Sequence, residues 1–87
     1  MSWRVEYTKS ARRDLKKLDR QVQRRVLDWM AEHIAGCDNP RYTGKRLVGN
    51  LSGWRYRVGD YRVVCRLKDD VVTVDVVHVG HRREVYK

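Results

Sequence analysis

Two alternating segments joined by a two-residue loop constrain the fold of this chain more than any other feature. Trp54–Val58 and Tyr61–Leu67 alternate apolar and charged side chains with one exception, and Gly59-Asp60 separates them. Alternation is typical of half-buried strands, and a two-residue loop with glycine first is typical of a type II′ hairpin turn. A β-branched run over 71–79 follows a weaker turn at Asp69-Asp70. The three segments predict an antiparallel meander.

Helical spacing of apolar residues fills the region before the meander. A short alternating segment, Trp3–Tyr7, predicts a strand, and Thr8 or Ser10 can cap a helix after it. Asp19 can cap a second helix, so the spacing predicts a helical hairpin, although a single bent helix gives nearly the same pattern. Gly36 ends that helix, because glycine favours the left-handed position after a helix. The apolar stripes consist of Ala11, Leu15, Leu18, Val22, Val26, Leu27, Trp29, Met30, His33 and Ile34.

The fold class that follows is α+β. We expect an N-terminal strand, a two-helix hairpin, a loop over 37–52 and the three-stranded antiparallel meander, with the helices on one face of the sheet. Residues 1–87 are expected to form a single domain, because a chain of this length supports only one thin core. No apolar run approaches the ~20 residues that cross a bilayer. Arg4, Glu6 and Lys9 interrupt any apolar core of a signal peptide.

The hairpin turn implies a register for the meander. A two-residue loop pairs Val58 with Tyr61, which puts Arg57 directly opposite Arg62. The same reasoning at Asp69-Asp70 pairs Arg66 with Thr73, Val64 with Asp75 and Arg62 with Val77. The predicted core face holds Trp54, Tyr56, Val63, Cys65, Leu67, Val72, Val74 and Val76. The predicted open face holds Arg55, Arg57, Arg62, Arg66, Thr73 and Asp75.

The arginines of the open face suggest a ligand. Like charges directly opposite each other destabilise a sheet. Arg57 across from Arg62, with Arg55 two residues along, therefore indicates a bound anion. The alternative is a group of solvated arginines that keep the strands from pairing with other chains.

The net charge of the whole chain limits the classes of partner that it can bind. Twenty Lys and Arg face eleven Asp and Glu, for a net charge of +9, and fourteen of the cations are arginine. The planar guanidinium fork suits phosphate or carboxylate, so we expect nucleic acid, an anionic membrane or an acidic protein. Cys37 and Cys65 show no metal-ligand spacing. We interpret them as reduced thiols of a cytoplasmic protein, and we expect neither metal nor cofactor.

The last residues carry chemistry that suits a phosphodiester. Gly80 lets the chain turn, which can bring His81, Arg82 and Tyr86 near the arginine face. Histidine titrates near neutral pH, arginine stabilises charge on phosphate oxygens, and tyrosine stacks on bases or donates a proton. The alternative is a frayed polar tail over 81–87.

Two blocks of this sequence resemble a known family. Trp54–Val64 and Val79–Tyr86 look like the RelE toxin family of toxin–antitoxin systems, and Ala11–Leu18 and Lys45–Leu47 fit the same pattern. The resemblance covers essentially the whole chain. It implies a small fold of the microbial-ribonuclease type and a toxin that cuts mRNA in the ribosomal A site. It also implies attack by the ribose 2′-hydroxyl on the adjacent phosphate without a metal, which leaves a 2′,3′-cyclic phosphate and stops translation.

The resemblance assigns roles to particular residues. Arg62 stabilises charge on the phosphate, Arg82 is linked with protonation of the leaving group, and Tyr86 orients or stacks the mRNA. The RNA- and phosphate-binding residues are Arg55, Arg57, Lys45 and Arg46.

One departure from the family pattern affects the general base. Arg55 and Arg57 stand where that pattern has lysines, and an arginine cannot give up its proton. His81 is therefore the candidate base. His33 lies on the helix stripe, and the predicted register puts His78 opposite Tyr61 on the core side, so both are interpreted as structural.

The resemblance also implies partners. We expect a RelB-like antitoxin whose acidic, partly disordered segment wraps the basic surface, together with mRNA on the ribosome and 16S rRNA. DNA would be bound only through the antitoxin complex, and no membrane is expected. Two alternatives remain. One is a ParE-like toxin that inhibits DNA gyrase without nuclease activity, and the other is a nucleic-acid-binding protein whose arginines only grip phosphates.

Overall fold

A computed structural model describes residues 2–49 and 53–81 of the chain. Its elements in chain order are β1 (Arg4–Tyr7), α1 (Lys9–Lys16), α2 (Arg20–His33), a first 3₁₀ turn (Pro40–Tyr42), β2 (Lys45–Arg46), β3 (Gly53–Val58), β4 (Tyr61–Lys68), a second 3₁₀ turn (Asp69–Val71) and β5 (Thr73–His81). The strands form one sheet in the order β1-β5-β4-β3-β2. β1 runs parallel to β5, and the other neighbours are antiparallel. The α+β class is confirmed.

The sheet is wider than the predicted meander. β2 lies in the region predicted as a loop over 37–52, where Lys45 pairs with Arg55 and Arg46 pairs with Trp54. Its two residues are too few to produce an alternating pattern, so the sequence carries no strand signal there. The predicted N-terminal strand is present as β1, and it joins the opposite edge through β5.

The helical region is a hairpin and not a single bent helix. The Thr8 hydroxyl accepts a 3.1 Å hydrogen bond from the Ala11 N–H and so caps α1. Asp19 stands at the start of α2 but makes no capping hydrogen bond with its side chain. Gly36 follows α2 with a φ of +78°, as the glycine after a helix often does. Neither helix is long and apolar enough to span a bilayer.

The core lies between the two helices and one face of the sheet. Burial of apolar side chains is the main favourable contribution to folding. The buried apolar residues are Trp3, Ala11, Leu15, Val26, Met30, Ile34, Tyr56, Val58, Val63, Cys65, Leu67, Val74, Val76 and Val79. Of the predicted core face, Trp54 and Val72 are half-buried against this cluster, and the other six residues are buried.

The predicted register of β3 and β4 is confirmed. Val58 pairs with Tyr61, Arg57 with Arg62 and Tyr56 with Val63, and the pairing continues through Trp54 with Cys65. Gly59 has a φ of +61° and Asp60 does not have a positive φ, which agrees with a type II′ turn. The turn chemistry alone was enough to set this register.

The predicted register of β4 and β5 is wrong by two residues. Arg66 pairs with Asp75, and not with Thr73, because the connection is a 3₁₀ turn followed by Val72 in the left-handed region at a φ of +49°. A β-branched residue rarely adopts that conformation, so the sequence did not indicate it. A shift of two keeps every side chain on its predicted face. Thr73 is nevertheless buried, and its hydroxyl accepts a hydrogen bond from Arg4.

A bulge then changes the faces at the end of β5. The register slips between Val64 and Cys65, so Val64 pairs with His78 and Arg62 pairs with Gly80. His78 is therefore not opposite Tyr61 on the core side, as predicted, and its side chain is exposed. Gly80 lies within the strand and not at a turn.

Candidate functional site

A row of cations crosses one face of the sheet. Cross-strand neighbours share a face, so the pairs Lys45–Arg55 and Arg57–Arg62 place these four side chains on the face away from the helices. Among the described strands, no carboxylate takes part in these pairs or in the next positions across, Val64 and Gly80. Four cations on one face of the sheet favour an anionic ligand there. We call these four residues the basic row.

The predicted phosphate-binding set is only partly brought together. Lys45, Arg55 and Arg57 lie in the basic row, but Arg46 pairs with Trp54 and so belongs to the opposite face of the sheet. Arg55 and Arg62 are half-buried, whereas Lys45 and Arg57 are exposed. Arg57 donates a 3.1 Å hydrogen bond from Nε to the Gly59 carbonyl, which holds its side chain beside the turn.

A cleft of about 360 Å³ opens next to the basic row. Its size falls in the range of roughly 300–1,000 Å³ that is usual for small-ligand sites. It lies beside the start of β2 and beside Tyr56 and Arg57, which come after the β3 residues that pair with β2. The described residues that line it are Trp29, Thr43, Gly44, Lys45, Arg55, Tyr56, Arg57 and Arg62.

One wall of the cleft is formed by the segment 40–44, and three contacts fix this segment. The Tyr56 hydroxyl donates to the Pro40 carbonyl at 2.7 Å, and Trp54 Nε1 donates to the Thr43 carbonyl at 2.7 Å. Arg41 donates to both carboxylate oxygens of Asp69 at 2.9 Å, and this hydrogen bonding lowers the pKa of that carboxyl. The wall is thus tied to β3 and to the second 3₁₀ turn.

Gly44 allows this wall to approach β3. Its φ is +81°, and a Cβ at this position would meet the Arg55 carbonyl, Tyr56 Cδ1 at 2.7 Å and Trp54 Nε1 at 2.8 Å. Any side chain at position 44 would therefore push the wall away from β3 or distort the strand. Sequence reasoning did not single out Gly44, because only the contact with β3 makes it special.

We expect Gly44→Ala to destabilise the protein more than Gly36→Ala does. Gly36 also has a positive φ, +78°, but a Cβ there meets nothing within 4 Å. Gly36→Ala should cost only the left-handed strain of about 1–2 kcal/mol, and Gly44→Ala should cost a further ~1–3 kcal/mol from overpacking. Urea unfolding of both variants measures the difference. Equal free energies of unfolding for the two would contradict the close approach.

The buried phenol of Tyr56 at this site and the thiol of Cys65 in the core are not proton acceptors near neutral pH. Burial is the main cause that raises the pKa of Tyr56 above its ordinary value of 10.0. Burial likewise raises the pKa of Cys65 above 9.0. Both groups stay protonated, and the Tyr56 hydroxyl is already committed to Pro40. Cys37 and Cys65 carry free thiols.

The structure separates the three histidines. His33 stacks on Trp29 with ring centroids 4.6 Å apart, and His78 Nδ1 lies 3.2 Å from Asp14. His81 pairs with Tyr61, and the edge of one ring meets the face of the other at 5.6 Å. Because faces alternate along β4, this pairing puts His81 on the helix side of the sheet, opposite the face of Arg62. Its predicted approach to the arginine face is not observed in the described residues.

Two of the predicted catalytic residues, Arg82 and Tyr86, lie outside the residues that the structure describes. Their roles stay predictions. The residue that sequence reasoning missed is Trp29. It was assigned only to the apolar stripe of α2, but its half-buried ring lines the cleft.

Comparison with known proteins places the chain in a family. A family model described as the ParE toxin of the type II toxin–antitoxin system parDE matches residues 5–86. Toxin RelG of Mycobacterium tuberculosis is 33% identical over 88 residues, which cover 100% of this chain and 99% of that toxin. Toxin RelE of the same organism is 30% identical over 86 residues, covering 98% of this chain and 87% of that toxin.

Solved structures agree with these relatives. A chain in the toxin–antitoxin complex RelBE2 from Mycobacterium tuberculosis has a TM-score of 0.83 and 31% identity, covering 94% of this chain and 100% of that chain. The isolated E. coli RelE toxin has a TM-score of 0.75 and 25% identity, covering 98% of this chain and 92% of that one. The protein belongs to the RelE family of toxins, within the RelE/ParE superfamily of type II toxin–antitoxin systems.

Proposed function

We propose that this toxin is an endoribonuclease that cleaves mRNA in the ribosomal A site and so stops translation. The observation that carries the proposal is the basic row beside the cleft, with Arg55, Arg57 and Arg62 around one concave site. Arginine forks bind phosphate oxygens in pairs, and a row of cations along a groove suits the backbone of a single strand. The proposed place of action is the cytoplasm, with mRNA on the ribosome and 16S rRNA as partners.

The proposed reaction is a transfer within the RNA. The ribose 2′-oxygen attacks the adjacent phosphorus, the bond from phosphorus to the 5′-oxygen breaks, and a 2′,3′-cyclic phosphate forms. One group must accept the proton of the 2′-hydroxyl, and another must protonate the leaving 5′-oxygen. Negative charge grows on the phosphate oxygens during the attack, and fixed cations stabilise it.

Residue roles in this reaction follow from side-chain chemistry. Arg62 is the proposed stabiliser of the charged phosphate, with Arg55 and Arg57 binding neighbouring phosphates. His81 is the proposed base, and Tyr86 is the proposed stacking partner of a nucleobase. Arg82, which cannot give up its proton, is proposed to stabilise the charge on the leaving 5′-oxygen while water supplies the proton. His81 lies on the helix side of the sheet and Arg62 lies on the other side. RNA that contacts both must therefore pass around the ends of β4 and β5.

A gyrase inhibitor is the second candidate function. The observation in its favour is that the matching family model is described as a ParE toxin. The curated relatives at 33% and 30% identity carry RelG and RelE names, which favours the first candidate. Purified toxin added to ribosomes programmed with a defined mRNA tests the nuclease directly, and DNA supercoiling by gyrase tests the alternative. Cut mRNA with unchanged supercoiling supports the nuclease, and the reverse pattern overturns it.

An antitoxin is the expected protein partner. Solved neighbours of this fold include complexes described as RelE–RelB from Pyrococcus horikoshii and RelBE from E. coli. A surface with a net charge of +9 favours an acidic segment that orders on binding. The proposed partner is a RelB-like antitoxin with such a segment, and DNA would then be bound through the complex.

We expect the bound antitoxin to cover Arg55, Arg57 and Arg62 or to displace residues 81–87, because the basic surface must be silenced. Chemical footprinting of arginines with and without antitoxin, read by mass spectrometry, measures the coverage. Reactivity of the three arginines should fall several-fold, and the exposed Arg24 on α2 serves as an internal reference. If their reactivity and the cleavage of 81–87 by protease both stay unchanged, the antitoxin binds elsewhere.

A further inference from the structure

Trp29 is an aromatic residue of α2 that the core does not bury completely. Val26 and Met30 are fully buried, but Trp29 is only half-buried and turns toward the cleft. One side of its ring system is backed by protein: His33 stacks on it at 4.6 Å with an interplanar angle of 16°. Tyr56 contacts it at 5.6 Å with a tilt of 47°. The indole is thus held in place while part of it lines an open site.

The other aromatic ring of the cleft has no accessible face. Tyr56 is 1% exposed, and its hydroxyl is bound to Pro40. Among the described residues that line the cleft, the accessible aromatic surface therefore comes from Trp29. The remaining lining is dominated by Lys45, Arg55 and other cations of the basic row.

Aromatic surface next to a row of cations is the combination that binds single-stranded nucleic acid. Cations hold successive phosphates, and each unpaired base needs a flat apolar partner on which to stack. A ligand that offered only phosphates could bind to the cations on the open face of the sheet and would not need an aromatic ring. A cleft with an indole wall adds a place for one base.

We propose that Trp29 is the stacking platform for one unpaired nucleobase of the bound RNA, with its phosphates on the basic row and His33 supporting the indole from behind. This inference rests on the proposed function, because it takes RNA as the ligand. It makes Trp29 a binding residue and assigns it no step of proton transfer.

Binding of a short RNA tests the platform. The probe is a labelled single-stranded hexamer with 2′-methoxy groups, which cannot be cleaved, used in natural form and with one abasic nucleotide at each position in turn. Dissociation constants are measured by fluorescence anisotropy at low ionic strength, where phosphate contacts are strongest. We expect Trp29→Leu to weaken binding of the natural RNA about tenfold, and Trp29→Phe, which keeps a ring, to weaken it less.

The abasic series separates stacking from a structural role of the indole. For one position of the abasic nucleotide, the wild-type protein should bind the abasic RNA about tenfold more weakly than the natural RNA. For the same position, Trp29→Leu should bind the two RNAs equally. Equal losses for both proteins at every position would overturn the platform, and so would the absence of saturable binding by the wild type. Should Trp29→Leu fail to fold, tryptophan fluorescence decides instead, measured in a protein with Trp3→Phe and Trp54→Phe so that the signal comes from Trp29. Quenching by natural but not by abasic RNA supports the platform, and equal quenching by both overturns it.

Failure of this inference and failure of the proposed function give different results. Cleavage of mRNA on the ribosome by the wild type, together with equal losses across the abasic series, overturns the platform and keeps the nuclease. Coupling between Trp29 and one abasic position, together with no cleavage on the ribosome, keeps the platform and overturns the nuclease.

Discussion

Arg62→Ala is expected to slow single-turnover cleavage of mRNA on the ribosome by about 10²–10³-fold, the usual loss when one donor that stabilises a developing anion is removed. Arg62 lies at the β4 end of the basic row, opposite Arg57 on one side and Gly80 on the other. Gly80 carries no side chain, so β5 contributes none at the position across from Arg62. The expected loss is larger than for any phosphate contact at the rim of the cleft.

Two further variants make this prediction specific. Arg66→Ala removes an exposed arginine from the same face of the same strand, but Arg66 pairs opposite Asp75 and does not line the cleft. It should cleave at nearly the wild-type rate. Arg62→Lys keeps the charge and loses the planar fork, so an intermediate rate is expected. Unchanged growth arrest by Arg62→Ala at matched expression would remove Arg62 from the mechanism.

The stability of Arg62→Ala must be measured with its rate. The predicted open face gave Arg62 no apolar burial to lose, but Arg62 is half-buried and its Nε is buried. Truncation can therefore cost packing as well as charge. Thermal unfolding of Arg62→Ala and Arg62→Lys separates loss of stability from loss of catalysis. If the slower cleavage comes only from unfolding, the variant cleaves at the wild-type rate when it is assayed well below its melting temperature.

His81→Gln is expected to slow the same step by about 10²-fold, which is the lower range for loss of a general base. Arginines stay charged at every accessible pH and cannot accept a proton. Tyr56 is excluded because burial raises its pKa. Histidine is the side chain that most often acts as a general base, and His81 directly follows Gly80, the residue opposite Arg62. Glutamine keeps a polar side chain of similar size without the basic nitrogen.

His78→Gln is the matched control for this variant. His78 is three residues away on β5, is exposed, and contacts Asp14 instead of Tyr61. It should cleave at the wild-type rate. If His81→Gln also cleaves at that rate, His81 is not the base. Its place in the bound state is then also on the helix side, away from Arg62. Catalysis would then depend on the arginines, with water or the ribosome taking the proton.

Local chemistry explains which features of the fold were predictable from the residues. Gly59-Asp60 sets a turn over two residues, so the pairing of Arg57 with Arg62 follows without any other part of the molecule. The Thr8 cap and the Gly36 terminus are likewise decided within one helical turn. The alternation that defines the core face survives the wrong register in the first part of β5, because the error there is two residues, and it fails after the bulge, where the error is three.

The features that escaped prediction all depend on contacts between distant segments. Val72 adopts its left-handed conformation where the second 3₁₀ turn meets β5, and the bulge that follows moves His78 away from Tyr61. Neither has a signal in the local pattern, since β-branched residues ordinarily favour plain strand. β2 exists only because two residues lie beside β3.

The sequence by itself determined the class of the fold, the three arginines of the basic row and the family, because each follows from short patterns of alternation, charge and turn residues. The tertiary structure decided what surrounds the basic row. α2 brings Trp29 to the cleft, Gly44 lets the wall approach β3, and the bulge puts His81 on the helix side. These three depend on how segments far apart in the chain pack, and packing is a property of the whole core and not of any local stretch of residues.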